Sequence, residues 1–265
     1  MKRPVAFLDL EVYKNYFLCA VQYEATGQTE LFEKFPGYEE SWDAEKIRGI
    51  LLAHRIITFN GLGFDAPLLM YALTGASVGD LKKASDRIII HNLKWWGFEK
   101  EFRVTVNPPE LDHVDLIEVA PLRGSLKLYA GRIGSRSIED LPREPGATIA
   151  PADLEDLRRY CINDTTLTRD LYRALKVQLD LREEMTARYK VNLMSKSDPQ
   201  IAEAVMKAEI ERRTGRKMEK APEQAGTTFA YQVPAWMSFI GLDILDSVRA
   251  AEFMIADTGG VLMPP

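Results

Sequence analysis

Hydrophobic and polar positions along the first 35 residues predict three strands in close succession. Apolar side chains dominate residues 4–12, 16–24 and 29–35. The link at residues 25–28 contains Gly27 and has the composition of a hairpin turn. Strands that follow one another so closely imply an antiparallel start to the sheet.

Helical periodicity begins after these strands. Residues 43–54 place Ile47, Ile50 and Leu51 at helical spacing, and the short apolar run at residues 56–59 is typical of a buried strand. The elements predicted after it are a loop over 60–65, a helix from near Pro67, a helix around 79–96, a strand over 113–119, a short helix over 125–132, a loop over 142–150, and a long helix over 151–190 that is broken once.

The order of these elements indicates the fold class. It predicts an α/β protein whose mixed central sheet has three antiparallel strands and then parallel strands, with helices on both faces, as in ribonuclease H-like folds. We expect this domain to cover residues 1–192. Residues 193–265 form a predicted extension, with a helix at about 198–214 that Ser197-Asp198-Pro199 begins, followed by short strands.

Composition narrows the possible functions of the 265-residue chain. No apolar run approaches the roughly 20 residues that cross a bilayer, so we expect a cytoplasmic protein without membrane contact. The two cysteines and three histidines are scattered, which argues against a zinc site. The net charge of −5 argues against a large nucleic-acid footprint but permits a small site where bound metals meet a few phosphates.

The first candidate motif is Asp9-Leu10-Glu11 in the first strand. Residues two apart on a strand face the same side, so both carboxylates lie on one face of an otherwise apolar strand. Unpaired carboxylates are costly to bury, and hard divalent cations prefer carboxylate oxygen. The alternative is an exposed edge strand with alternating polar residues.

The second motif, residues 60–67, follows the buried strand and precedes a helix. Open α/β sheets bind ligands at such strand ends. Asp65 is the candidate functional residue of this segment. The alternative makes Asp65 only the N-cap of the following helix.

The third motif pairs Tyr160 with Asp164 in the long predicted helix. Residues four apart share a helix face, and Leu157, Cys161 and Leu167 give the helix a buried stripe beside them. The alternative is an ordinary solvated helix face.

Together, D-x-E, N-x-x-x-F-D and Y-x-x-x-D resemble the tyrosine variant of the DEDD exonuclease superfamily. The stretches ITFNGLGFDAPLL and YCINDTTLTRDLY resemble the second and third exonuclease motifs of family B DNA polymerases. The resemblance covers residues 4–175. The histidine variant would have His at position 159, which is Arg159, whereas Tyr160 has the spacing of the tyrosine variant.

The resemblance implies a site that holds two divalent ions, Mg²⁺ or Mn²⁺. It implies that Asp9 bridges the ions, while Glu11 and Asp164 help to hold the ion that activates water. Asp65 is implied on the side of the leaving group, through water. Tyr160 is implied to orient the attacking water, since an ordinary pKa of about 10 does not suit a general base.

The resemblance also implies substrate contacts. Asn60 is implied to contact the terminal nucleotides, Phe64 to pack beneath the site, and Leu10 to touch the terminal base. The expected partner is the 3′ end of single-stranded DNA, in a proofreading reaction. Two alternatives stay open: an exoribonuclease with the same site, and a catalytically silent scaffold or binding domain.

The C-terminal extension resembles the junction between exonuclease and polymerase in phage-type enzymes, through SKSDPQIAEAVMKAEI and YQVPAWMSF. A polymerase domain or replication proteins are therefore possible partners, and a phage-encoded protein would act in the host cytoplasm. The chain has no polymerase catalytic signature, so we expect no polymerase activity from it.

Residues outside the motifs are assigned structural roles. We expect residues 93–103 to bury Trp95, Trp96 and Phe98 against the core, with a stacking platform for single-stranded nucleic acid as the alternative. We expect Asp115 to be structural. The basic run Arg132–Arg136 is predicted to be solvated, with guidance of a strand toward the site as its alternative.

Overall fold

The computed structural model describes residues 3–38, 41–122 and 124–218, together with the backbone of three short strands at residues 228–230, 252–255 and 261–262. The chain divides into two units, Met1–Glu209 and Ile210–Pro265. The first unit is an α/β structure with a five-stranded sheet, and the second contains a three-stranded antiparallel sheet.

The five-stranded sheet is mixed, as the sequence predicts. Its strands are β1 Val5–Val12, β2 Phe17–Tyr23, β3 Thr29–Lys34, β4 Arg55–Thr58 and β5 His113–Asp115. Their spatial order is β3-β2-β1-β4-β5. The first three strands pair antiparallel, whereas β4 pairs parallel to both β1 and β5. Strand β1 is therefore central and has a neighbour on each side.

Helices cover both faces of this sheet. The helices of the described residues are α1 Ala44–Ala53, α2 Asp65–Leu73, α3 Val78–Ile89, α4 Trp95–Phe102, α5 Leu126–Ile133, α6 Leu154–Ala174, α7 Lys176–Tyr189 and α8 Asp198–Thr214. Helix α8 has no buried residues and spans the division between the two units. Leu8 and Leu10 of β1 belong to a core cluster with residues of α1 to α4. Phe7 belongs to another, with residues of α5, α6 and α7.

Short polar side chains fix where several helices begin. Asp43, Ser77 and Ser125 each accept a hydrogen bond from a backbone N–H three residues further on. Such caps satisfy amide groups that have no partner inside the helix. The break in the long helix, predicted over residues 151–190, occurs at Leu175, between α6 and α7.

Two predicted elements differ from the structure. The helix predicted around 79–96 is two helices, α3 and α4, because Asn92 has a left-handed backbone with φ of 53°. The strand predicted over 113–119 ends at Asp115, whose side chain accepts a hydrogen bond from the Ile117 amide at 3.3 Å. This bond begins a short 3₁₀ turn in place of further strand.

The expectation that all three aromatic residues of α4 are buried is wrong for two of them. Phe98 is fully buried against Tyr71 of α2, but Trp95 is 39% exposed and Trp96 is 54% exposed. The helix has one buried face, and the two tryptophans lie at its start beyond that face.

The C-terminal extension is described only in part. Helix α8 has the bounds predicted for it, and β6 Thr228–Ala230, β7 Glu252–Ile255 and β8 Val261–Leu262 are short strands. The segment YQVPAWMSF, at residues 231–239, lies outside the described residues. The domain boundary at residue 192 and the junction role stay predictions. No described helix is both long enough and apolar enough to cross a bilayer.

His113 in β5 is buried in its neutral form beside the central strands. Its Nε2 lies 2.7 Å from Oγ1 of Thr58, and the residue is 8% exposed. Burial lowers the pKa of the imidazole from 6.5 to about 4. Between these two values the unfolded chain binds a proton that the folded chain does not, so the folded protein loses stability as the pH falls.

We therefore expect the stability advantage of the wild type over His113→Gln to depend on pH. The advantage at pH 7.5 should shrink by up to about 3 kcal/mol as the pH falls from 6.5 to 4, because only the wild type loses this contribution. Urea unfolding of both proteins across this range measures the difference. An advantage that stays constant or grows toward pH 4 contradicts the buried neutral imidazole.

Candidate active site

Strand β1 presents Asp9 and Glu11 to the face of the sheet that α6 covers. The thiol of Cys161 in α6 lies 3.4 Å from Oδ2 of Asp9 and 3.7 Å from its backbone oxygen. Since β1 is the middle strand of the sheet, the alternative of an exposed edge strand is wrong. Both carboxylates are half-buried at the end of β1 where the chain leaves the sheet.

The loop after β4 is held against the sheet by Asp115. The carboxylate of Asp115 accepts hydrogen bonds from the backbone N–H of Asn60 at 2.7 Å and of Leu62 at 2.9 Å. Asn60 has a left-handed backbone with φ of 63°. At Gly61 a Cβ atom would lie 1.9 Å from Oγ1 of Thr58, so only glycine fits. Asp115 therefore has the structural role expected of it.

This loop delivers Asp65 as the first residue of α2. The N-cap is Phe64, which makes no side-chain cap bond, so the alternative that Asp65 is merely the N-cap is wrong. Asp65 is 4% exposed. Because β1 and β4 pair in parallel, with Phe7 opposite Ile57, the chain that leaves β4 runs beside the end of β1 that bears Asp9.

Helix α6 contributes Tyr160 and Asp164 from the same face of the sheet. Tyr160 is 7% exposed and Asp164 is 9% exposed, so the alternative of a solvated helix face is wrong. The buried stripe of α6 includes Leu157, Cys161 and Leu167, and the helix packs against β1 and β2. The packing of this stripe turns the tyrosine and the carboxylate toward the acidic end of β1.

The four carboxylates share one electrostatic environment. Burial, with the charge of Asp164 as the next cause, raises the pKa of Asp9 to about 8. Burial and then Asp9 and Asp164 raise the pKa of Glu11 well above its usual value. Burial and then Asp9 raise the pKa of Asp65 in the same direction. Carboxylates that lie this close together, two of them buried and two half-buried, favour the binding of a cation.

Lys127 in α5 supplies one such charge, and the sequence motifs do not include it. Its Nζ donates a hydrogen bond to the Tyr160 hydroxyl at 3.0 Å and lies 4.7 Å from the centre of the ring. Burial raises the pKa of Asp164, and Lys127 is the strongest opposing influence. No local pattern distinguishes this lysine, because its partner lies 33 residues further along the chain.

The carboxylates fit divalent metal ions in their chemistry. Asp164 has a buried Oδ1 without a hydrogen-bond partner among the described residues. Hard divalent cations prefer several carboxylate oxygens, and they would satisfy such an atom. Within residues 3–218, as far as the structure describes them, no three His, Cys, Asp or Glu side chains form a ready-made site for a single ion. The carboxylates thus form an acidic centre and not a closed coordination shell.

The three predicted substrate-contacting residues differ in their exposure. Asn60 is exposed at the loop, and Phe64 is half-buried against the core beside α2. Leu10 is 4% exposed and belongs to the core cluster on the face of β1 opposite Asp9. The substrate contacts of all three stay predictions.

No protein-family model, curated protein or solved structure matches the chain.

Proposed function

We propose that the chain is a metal-dependent 3′→5′ exonuclease domain of ribonuclease H-like fold that trims the 3′ end of single-stranded DNA, as a proofreading domain does. One observation supports this most directly: residues of three separate motifs, Asp9, Glu11, Asp65, Tyr160 and Asp164, influence one another's ionisation at one end of β1. The strand order β3-β2-β1-β4-β5, with helices on both faces, supports the fold assignment.

The proposed cofactors are two divalent ions, Mg²⁺ or Mn²⁺, held by the four carboxylates. When bound, such ions activate a water and stabilise the charge on the attacking and leaving oxygens. Asp9, Glu11 and Asp164 would hold the ion that activates water, Asp9 would also hold the second ion, and Asp65 would act through water on the side of the leaving group. The unsatisfied Oδ1 of Asp164 supports its assignment as a ligand.

Tyr160 would orient the attacking water by a hydrogen bond. Burial, followed by the charges of Asp164 and Glu11, raises the pKa of the phenol, so the hydroxyl keeps its proton and does not act as a base. Lys127 donates to the phenol oxygen and fixes its position. Because one lone pair of that oxygen is engaged by Lys127, the O–H bond points away from the lysine, and its hydrogen bond to Asp164 is a further cause of the raised pKa of the phenol.

Removing two carboxylates tests the centre as a whole. We expect Asp9→Asn combined with Glu11→Gln to abolish Mn²⁺-dependent shortening of 3′ ends, with a loss on the order of a thousandfold or more, because the metal ligands are gone. The measurement is gel analysis of 5′-labelled single-stranded DNA, with matched RNA alongside to define the sugar preference.

The matched control changes the charge equally at the start of α6. Glu155→Gln with Asp156→Asn replaces one glutamate and one aspartate outside the acidic centre, and we expect its activity to stay within about twofold of the wild type. Undiminished cleavage by the Asp9/Glu11 double variant would contradict the site assignment. A wild type that binds no Mn²⁺ in calorimetry would favour the silent scaffold.

Tyr160→Phe separates positioning from metal binding. We expect this variant to bind Mn²⁺ as the wild type does, because the four carboxylates are intact. Cleavage should slow by about ten- to a hundredfold, the effect of losing one hydrogen bond to a reacting group. Mn²⁺ calorimetry and single-turnover cleavage give the two values. Wild-type cleavage by Tyr160→Phe would exclude a role for the hydroxyl.

Lys127→Met tests whether the lysine acts through Tyr160. We expect slower cleavage, because the variant loses the donor that fixes the phenol. We expect no loss of Mn²⁺ affinity, because the variant also loses a cation that repels the metal ions. If both residues act as a unit, the double variant with Tyr160→Phe should be no slower than the worse single variant. Additive losses in single-turnover cleavage would show that Lys127 acts independently of Tyr160.

A further inference from the structure

A cavity with positively charged walls lies beside the acidic centre, between α6 and the segment that follows α5. Its volume is about 510 Å³, and its walls are formed by residues 133–137 and by residues of α6 from Asn163 to Ala174. None of the residues proposed for hydrolysis lines it. We name it the arginine cavity, after Arg136, Arg169 and Arg173 in its walls.

The charges of the arginine cavity are only partly balanced. Arg173 pairs with Glu24 at 3.0 Å, and Arg169 lies 3.6 Å from Asp170, an acidic residue that also lines the cavity. Arg136 is exposed and has no ion pair or hydrogen bond among the described residues. Three arginines and one aspartate in the walls leave a local excess of positive charge, which favours binding of an anion although the chain has a net charge of −5.

The same walls contain a hydrogen-bond donor that lacks an acceptor. Nε of Arg169 is buried and has no hydrogen-bond partner among the described residues, whereas the side chain of Asn163 contributes a hydrogen bond to the neighbouring Asp164. An unsatisfied buried donor is costly, and natural structures usually supply its acceptor. Nε of Arg169 is a donor, so the missing partner is an acceptor, and the positive charge of the guanidinium favours an anionic one.

Phosphate matches these requirements better than water or an acidic side chain. It offers several acceptor oxygens and negative charge, and the guanidinium group of arginine matches its geometry in a two-point contact.

The arginine cavity and the acidic centre lie along the same pair of helices. Helices α5 and α6 run side by side, since Lys127 contacts Tyr160 and Ser135 contacts Asp170. Asp170 lies ten residues after Tyr160 in α6, a rise of about 15 Å along the helix, which is a distance of a few nucleotides.

We propose that the arginine cavity binds a phosphate group, and that this phosphate belongs to the polynucleotide strand a few nucleotides from the bond to be cut. The assignment to the strand rests on the proposed exonuclease function, whereas phosphate binding itself does not. A free nucleotide or inorganic phosphate offers the same chemistry, so the test includes both sources.

The test measures binding without hydrolysis. A fluorescently labelled 12-nucleotide oligothymidine is titrated with the full chain in EDTA at several KCl concentrations, and inorganic phosphate and thymidine monophosphate are titrated by calorimetry. The variants are Arg169→Gln and Arg136→Gln, and the control is Arg132→Gln, an exposed arginine of α5 outside the cavity. Because Arg136 is exposed, its variant keeps the test valid even if Arg169→Gln folds poorly.

We expect Arg169→Gln to weaken oligonucleotide binding about tenfold and Arg136→Gln about threefold, and each to lower the slope of log affinity against log salt by about one. Arg132→Gln should stay within about twofold of the wild type. If only phosphate and thymidine monophosphate lose affinity, the phosphate site is supported and its occupant is a free phosphate compound.

Equal losses in Arg132→Gln and the two cavity variants would overturn the proposal, since they would indicate a general charge effect. Wild-type binding of every probe by Arg136→Gln and Arg169→Gln would overturn it as well. Because EDTA removes divalent ions, the binding result does not depend on the proposed exonuclease activity. If the wild type cuts no DNA but the cavity variants lose phosphate affinity, the phosphate site is supported and the proposed exonuclease activity is contradicted.

Discussion

Asp9 and Glu11 lie on the middle strand of a sheet covered by helices on both faces, and the cost of burying carboxylates there constrains the surrounding structure. Burial and like charge raise the pKa of Asp9 to about 8. Such a pair on a central strand is hard to explain by stability, because apolar residues at these positions would pack without the penalty. Asp65 and Asp164 add to the same penalty, since both are almost fully buried. The energetic cost concentrated at one end of β1 is the physical reason to assign a function to it.

The neighbouring elements are arranged to keep this centre intact. Asp115 lies next to the acidic centre, but its carboxylate oxygens accept hydrogen bonds from the backbone amides of Asn60 and Leu62. These bonds fix the loop that precedes α2. Lys127 places a cation near the carboxylates while holding Tyr160. One charged residue thus shapes the backbone and another offsets the charge. Both act on the centre without belonging to the motifs that define it.

The sequence predicts the parts of this arrangement that depend on local pattern. Alternation places both carboxylates of β1 on one face, and helical spacing joins Tyr160 to Asp164. Prediction from the sequence fails where the backbone conformation of one residue, or a partner distant along the chain, determines the structure. Asn92 adopts a left-handed backbone and divides one predicted helix into two. Trp95 and Trp96 remain exposed, although large aromatic residues usually bury, because the buried face of α4 is occupied by Phe98.

Lys127 and the arginine cavity show why residue spacing along the chain could not reveal the positively charged residues near the acidic centre. Each depends on the parallel packing of α5 against α6, which brings Lys127 to Tyr160 at one end and Ser135 to Asp170 at the other. The basic run Arg132–Arg136 has the composition of a solvated segment, and only Arg136 of its two arginines lines the cavity. A polyanion that reached the acidic centre along α6 would meet Arg169 and Arg136 before the carboxylates. The chain is acidic overall, so attraction confined to this approach would direct a strand to the centre without a large basic footprint.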